Sequence, residues 1–180
     1  MAVWAWIVMG VVAAAAIAAI VGVAFTAWNR AVSRYIMVLV AKREEARSVR
    51  RAFEEILGGL RLSSRKRRAA FADDRNAVER HSLADLAAHA RVLAEELNTM
   101  ALPARLIPAA EALADAADIL AEEVRGAGEG SIGDVSLEAI ESADLDRVGR
   151  AFAHADSMLA PLAEEYGADE QDVYGRGLYI

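Results

Sequence analysis

The 180-residue chain contains no cysteine and only three prolines. Without cysteine it has no disulfide scaffold, no Cys-ligated zinc or iron–sulfur centre and no thiol nucleophile. Charge is missing from one region, because residues 1–28 contain no Asp, Glu, Lys, Arg or His. Hydrophobic residues make up 56% of the chain, a high share for a water-soluble domain. This uneven distribution argues against an ordinary soluble globule.

The uncharged block predicts a transmembrane anchor at residues 1–29. A helix needs about 20 apolar residues to cross ~30 Å of hydrocarbon, and residues 3–27 meet that length. Tryptophan favours the membrane–water interface, and tryptophans stand at both ends of the block. The predicted membrane-interface residues are Trp4, Trp6, Trp28, Arg30 and Arg34.

A cleaved signal peptide is the alternative interpretation of this block, with Gly22-Val23-Ala24 as a small-x-small cleavage site. The apolar run is longer than a signal peptide needs, no basic segment precedes it and a basic stretch follows it. These features favour an uncleaved anchor in the cell (inner) membrane. Positive flanks stay in the cytoplasm, so we expect a single-pass topology with the N-terminus outside and the C-terminal domain cytoplasmic.

Small residues recur every four positions inside the predicted span. Such a stripe lets two membrane helices approach closely, although an alanine-rich helix carries some stripe of this kind by chance. The predicted transmembrane packing residues are Gly10, Ala14, Ala18 and Gly22.

Charge is partitioned along the rest of the chain. Residues 30–68 hold 12 Lys and Arg against four Glu, a net charge of +8, whereas residues 69–180 have a net charge of −15. The densest basic cluster is Arg65, Lys66, Arg67 and Arg68, for which we predict contact with anionic lipid. A solvated charge run is an equally simple interpretation. Nucleic acid is an unlikely partner because no aromatic residues are interleaved with these cations.

Apolar spacing predicts an all-α fold, an N-terminal transmembrane helix followed by an antiparallel bundle of three to four helices with coiled-coil-like seams. The seam of the helix after Pro103 is predicted at Leu106, Ala110, Leu113, Ala117, Leu120 and Val124. No segment alternates with period two, so no sheet is expected. The expected division is an anchor at 1–29, a basic juxtamembrane helix and linker at 30–68, an acidic bundle at 69–166 and a tail at 167–180.

Helix boundaries are expected from capping residues and breakers. Gly58-Gly59 should end the helix that leaves the membrane. Ser82 is a candidate N-cap, and Pro103 should stop the helix that follows it. Pro108 fits the first turn of the next helix, and Pro161 should kink or break the last one.

Chemical motifs are scarce. Residues 128–133 match G-x-G-x-x-G, but they follow a helical pattern instead of a strand, which favours an interhelical loop. His81, His89 and His154 lack the Glu three positions earlier that a di-metal bundle requires. We therefore expect no cofactor, no metal site, no small-molecule substrate and no enzymatic activity.

The function favoured by these features is a membrane-anchored cytoplasmic interaction or scaffold module. Its expected partners are the lipid bilayer and other protein subunits or further copies of itself. A membrane-bound signalling relay is the alternative, and an enzyme without a recognisable motif ranks lower. The tail at 167–180 is expected to fray or pack on itself, with partner docking as the other possibility.

Overall fold

The computed structural model is all-α. It describes the backbone of residues 2–128 and 133–166, with side chains there except those of residues 2–18 and 134. In chain order the helices are α1 (Ala2–Arg61), α2 (Arg65–Asp73), α3 (Val78–Thr99), α4 (Ile107–Gly128), α5 (Asp134–Ser142) and α6 (Leu145–Glu165). They pack as a helical bundle, which confirms the predicted fold class at that level.

The longest helix, α1, has two different parts. Residues 19–28 are exposed on every side, whereas from Val32 onward one face of the helix is buried. That face contributes large core side chains, including Phe53 and Leu57, both at 0% exposure. The expected juxtamembrane helix after residue 30 is therefore helical, and its buried face forms part of the bundle core.

Contacts between neighbouring helices show the direction in which each helix runs. Lys42 and Glu45 on α1 pair with Glu96 and His89 on α3, and Arg50 on α1 lies against Phe152 on α6. At the ends of α4 and α6, Arg105 pairs with Glu165, and Arg147 pairs with Glu122. Both α3 and α6 therefore run antiparallel to α1 and to α4.

This arrangement gives the bundle two ends. We call the end where α1 enters the entry end; it contains the last turns of α3 and α6 and the start of α4. The far end contains α2, α5, the start of α3 and the end of α4. There the backbone N–H of Gly133 donates to the carbonyl of Ala72 at 3.1 Å, and Gly133 has φ 91°, a conformation that glycine adopts without strain.

The most enclosed helix is α4. All six residues of its predicted seam are buried, and its exposed positions between residues 111 and 125 form a single stripe. Alanine dominates the buried positions, so α3 approaches α4 closely: a Cβ placed on Gly128 would lie 3.0 Å from Leu83 Cβ. The seam residues are Leu106, Ala110, Leu113, Ala117, Leu120 and Val124.

The proline predictions were right between helices, and of the kink or break predicted at Pro161 the break is absent. The α3 helix ends at Thr99, four residues before Pro103, and Pro108 is the second residue of α4. By contrast, α6 continues through Pro161 to Glu165. Burial of Ala155 and Leu159 and partial burial of Leu162 keep this last stretch packed, so tertiary contact offsets the missing N–H.

Two other predicted boundaries were also wrong. The Gly58-Gly59 pair lies inside α1, which continues to Arg61 because Leu57 and Leu60 are both buried. Ser82 lies inside α3, where its hydroxyl donates to the carbonyl of Val78 at 3.1 Å. Packing on either side of these residues outweighs their local preference for a helix end.

Within the part of the chain that the structure describes, no helix combines the length and the hydrophobicity that a bilayer crossing requires. The predicted span at residues 3–27 rests largely on residues 2–18, whose side chains lie outside the described residues.

Candidate functional site

An apolar stretch of α1 extends beyond the bundle at the entry end. Its large side chains Ile20, Val23 and Phe25 are 68%, 69% and 63% exposed. Trp28, predicted to lie at the membrane interface, is 60% exposed, and Arg30 and Arg34 are also exposed. Trp4 and Trp6 lie outside the residues whose side chains are described. Among the described residues, no part of the protein covers residues 19–28.

Of the predicted transmembrane packing residues, only Gly22 is described. A Cβ placed on Gly22 would meet nothing within 4 Å, so this part of the helix surface is open. The prediction for Gly10, Ala14 and Ala18 lies outside the described side chains.

A charged cluster joins α1 to α3. Lys42 Nζ lies 2.6 Å from a Glu96 carboxylate oxygen and 2.9 Å from Glu45, and Glu45 lies 2.7 Å from His89 Nε2. Partial burial acts to lower the pKa of Lys42, but hydrogen bonds to Glu96 and Glu45 outweigh it and raise that pKa. Burial acts to raise the pKa of Glu45, but hydrogen bonds from His89 and Lys42 lower it overall. Lys42 and Glu45 therefore both favour their charged forms.

A second charged cluster joins α1 to α6. Arg47 donates to Glu44 at 2.7 Å and to Asp156 at 2.8 Å. Arg43 is only 6% exposed and lies 3.2 Å from Glu44. One turn further along, the guanidinium of Arg50 lies 5.6 Å from the centre of the Phe152 ring. These charged residues belong to the basic segment that the sequence predicted after the anchor, and in the structure they connect α1 to α6.

The basic cluster Arg65–Arg68 lies at the far end. It forms the first turn of α2, where Ser64 caps the helix by accepting from the Arg67 backbone N–H. Arg67 pairs with Glu79 at 3.0 Å and Arg68 with Glu141 at 3.4 Å. In the described part of the chain no carboxylate lies within ion-pair distance of Arg65 or Lys66.

Distance along α1 bears on the predicted lipid contact of this cluster. Trp28 and Arg61 are 33 residues apart, so the helix separates them by about 50 Å. Electrostatic attraction to a membrane surface decays over a Debye length of about 8 Å. If residues 1–29 form the predicted span, contact between the cluster and the same bilayer requires α1 to lie along the membrane surface.

Two arginines that the sequence analysis did not identify connect the helices at the far end of the bundle. Arg61 donates to the carbonyls of Ile140, Glu141 and Ala143 at the end of α5. Arg80 is 8% exposed, donates to Ser136 Oγ at 2.7 Å and stacks 4.5 Å from the centre of the Phe71 ring. Neither position has a clear local sequence signal. The carbonyls that Arg61 binds lie 79 or more residues away, and two of the partners of Arg80, Gly128 and Ser136, lie 48 and 56 residues away.

A shallow groove of about 650 Å³ lies between α3 and α4. Alanines line its floor, and charged side chains surround it. Partial burial raises the pKa of Asp118, and the neighbouring negative charges of Asp115 and Glu122 raise it further. The charged lining residues are Arg91, Asp118, Glu122 and Arg125.

Metal chemistry finds no support in the described ranges, where no group of three or more His, Asp and Glu side chains converges on a point. His89 is half-exposed and bonds to Glu45, as a residue at the edge of a helix interface does. The chain matches no protein-family model, no curated protein sequence and no solved structure.

Proposed function

We propose that this chain is a single-pass protein of the cell (inner) membrane whose cytoplasmic helical bundle acts as an interaction or scaffold module. In this proposal residues 1–29 form the span, with the N-terminus outside. The observation that carries it is the exposure of residues 19–28 on all sides of α1.

All-round exposure supports lipid over a protein partner for this segment. A helix that docks on a protein has one apolar face and one polar face. Between residues 19 and 28 the helix has no charged residue on any face, and its isoleucine, valines and phenylalanine point in several directions. A helix that is apolar all round needs an apolar solvent, and hydrocarbon provides one.

The transition at residues 28–34 supports the proposed orientation. Trp28, Arg30 and Arg34 are all exposed on the stretch of α1 where the buried face begins, at Val32 and Ile36. Indole groups favour the membrane interface, and arginines on the cytoplasmic side resist translocation.

The anchor is tested on the full chain in isolated membranes. Alkaline carbonate extraction should leave the protein in the pellet, and sequencing of its amino end should begin at residue 1 or 2. Release into the supernatant, or a mature end near Phe25, would contradict the anchor. A reporter fused after Ile180 should be protected from external protease in spheroplasts.

The scaffold function is tested by crosslinking in intact membranes. A scaffold should yield discrete crosslinked species that contain either a second copy of the chain or one stoichiometric protein. If copies pair through the predicted stripe, Gly10→Leu and Gly22→Leu should weaken self-association in a membrane two-hybrid assay, with Ala24→Leu as the control off the stripe. Monomers alone after crosslinking would contradict the scaffold proposal.

A signalling relay remains the second candidate, and the continuity of α1 favours it. One unbroken helix carries both the proposed span and a core face of the bundle. A rotation or shift of the span would therefore be transmitted to the bundle core. Two glycines inserted after Arg30 should uncouple the two parts, and a relay would lose its output while a scaffold would keep its crosslinked partner.

A further inference from the structure

We propose that the turn between α3 and α4, residues 101–108, contacts the lipid headgroups as a second membrane contact beside the anchor. This inference rests on the proposed function, because it takes the apolar part of α1 as the span. The ligand is the headgroup layer of the same bilayer.

The turn lies at the entry end of the bundle. Lys42 on α1 pairs with Glu96, one turn before α3 ends at Thr99. On the other side, Arg105 just before α4 pairs with Glu165, the last residue of α6. Two independent ion pairs therefore place the turn beside the part of α1 that leads out of the bundle.

The composition of the turn differs from that of a water-facing loop. Residues 97–110 contain one charged side chain, Arg105, in a chain with 26% charged residues. At the far end, residues 62–77 contain seven. Apart from Arg105, the exposed positions in the turn are apolar, and Ile107 is 41% exposed. Loops in water are usually rich in Ser, Asn, Asp and Gly, none of which occurs between residues 99 and 110.

The single charge in the turn is compensated on the surface of the bundle. Arg105 lies 2.6 Å from a Glu165 carboxylate oxygen, and its guanidinium is 5.8 Å from the centre of the Tyr166 ring. The pair neutralises Glu165, which removes one source of repulsion for anionic headgroups at the entry end. Tyrosine is also a residue that membrane interfaces favour.

The geometry allows contact with headgroups and not with the hydrocarbon core. From Trp28 to Lys42 the helix rises about 21 Å, and α3 returns about 6 Å from Glu96 to Met100. The turn thus begins about 15 Å from the level of Trp28, and residues 101–103 can extend toward that level by at most about 10 Å. The headgroup layer is roughly 6 Å deep on each side, and an average span tilt of about 20° lowers one side of the bundle by a few ångströms. Contact on this side would fix the direction of tilt.

Single-cysteine labelling tests the contact cleanly because the chain has no cysteine of its own. Full-length Ala104→Cys, Ala24→Cys and Leu62→Cys variants are labelled with an environment-sensitive fluorophore and reconstituted into phosphatidylcholine–phosphatidylglycerol vesicles. Nitroxide lipids then quench from the headgroup or from the acyl chain. The label at 104 should lose emission to headgroup nitroxide, the label at 24 to acyl-chain nitroxide, and the label at 62 only to aqueous iodide.

A second pair of variants separates lipid contact from folding. Ile107→Asp adds a carboxylate to the first turn of α4, where the helix dipole favours it, but opposes contact with headgroups. It should move the label at 104 into water. Val78→Asp makes the matched change in the first turn of α3 at the far end, where the side chain is 75% exposed, and should leave that label unaffected.

The outcomes distinguish this inference from the proposed function. If label 24 lies in hydrocarbon and label 104 behaves like label 62, the headgroup contact is wrong and the anchor stands. If label 24 is quenched by iodide, the anchor is wrong. In that case headgroup quenching at 104 would still support the contact of the turn, and iodide quenching at 104 would contradict it.

Discussion

Arg61, the last residue of α1, donates two hydrogen bonds to the carbonyl of Ile140, at 3.1 Å from Nε and 2.7 Å from Nη2. Ile140 lies in the last turn of α5, where carbonyls have no partner within the helix and the dipole is negative. The end of the longest helix thus caps the end of a short one. This contact holds α5 against the far end of the bundle.

Removing that cap should destabilise the protein. Arg61→Ala leaves the final carbonyls of α5 without their charged donor, and we expect a loss of about 1–2 kcal/mol in the free energy of unfolding. Urea denaturation followed by circular dichroism measures it. Arg51→Ala is the control, since Arg51 is exposed and should change stability by less than about 0.5 kcal/mol. Equal effects of the two substitutions would refute the capping role.

Truncation of Phe53 tests whether the second half of α1 belongs to the core. Phe53 is completely buried, so Phe53→Ala should cost about 3–5 kcal/mol. Leu62 lies just beyond the end of α1 and is 90% exposed, so Leu62→Ala should leave the free energy of unfolding almost unchanged. If Phe53→Ala left the urea midpoint unchanged, residues 30–61 would be a linker and not a part of the bundle.

Asp118 should destabilise the fold at neutral pH. Partial burial and nearby carboxylates raise its pKa in the folded state, so folding disfavours its charged form. The penalty is complete above the raised pKa and vanishes once pH falls below the unfolded value. Asp118→Asn should therefore raise the melting temperature near neutral pH, and the difference from wild type should shrink on acidification. Asp85→Asn, an exposed change on α3, serves as the control.

Glu45 should have the opposite pH dependence. Hydrogen bonds from His89 and Lys42 lower its pKa in the folded state, despite the opposing effect of burial. Its stabilising contribution is therefore present above the unfolded pKa and is lost as pH falls through the folded pKa. Glu45→Gln should reduce the melting temperature at neutral pH and have less effect in acid. Glu55→Gln on the same helix is a matched control. If Glu45→Gln lowered the melting temperature equally at neutral and acid pH, this assignment would be wrong.

Neutralising the far-end cluster tests the distance argument. With α1 upright, Arg65, Lys66 and Arg67 lie about 50 Å from Trp28, several Debye lengths from the bilayer. When all three residues are changed to glutamine, nitroxide lipids in anionic vesicles should quench a label at residue 104 to the same extent as before. A change in that quenching would show that the cluster reaches lipid, as the charge pattern alone suggested.

Local patterns were sufficient for several features of the fold. The leucine and alanine spacing of α4 identified a seam whose six residues are all buried, because one helical face must be covered whatever covers it. Pro103 and Pro108 marked the gap between α3 and α4, since a missing N–H acts within its own turn. The helix end predicted at Gly58 and Gly59 was wrong, and α6 is not broken at Pro161, because packing against distant helices outweighed these local preferences.

For the exposed surfaces too, the sequence determined the local composition and the tertiary structure determined the location. The sequence alone identified the uncharged residues at one end of the chain and the basic cluster at residues 65–68. Both are local features, because each consists of residues that are consecutive in the chain. Only the tertiary structure decided that these features stand at opposite ends of α1, and that an apolar turn 75 residues after Trp28 lies at the entry end. Those relations depend on antiparallel packing through Lys42, Arg47 and Arg105, whose partners no local pattern identifies.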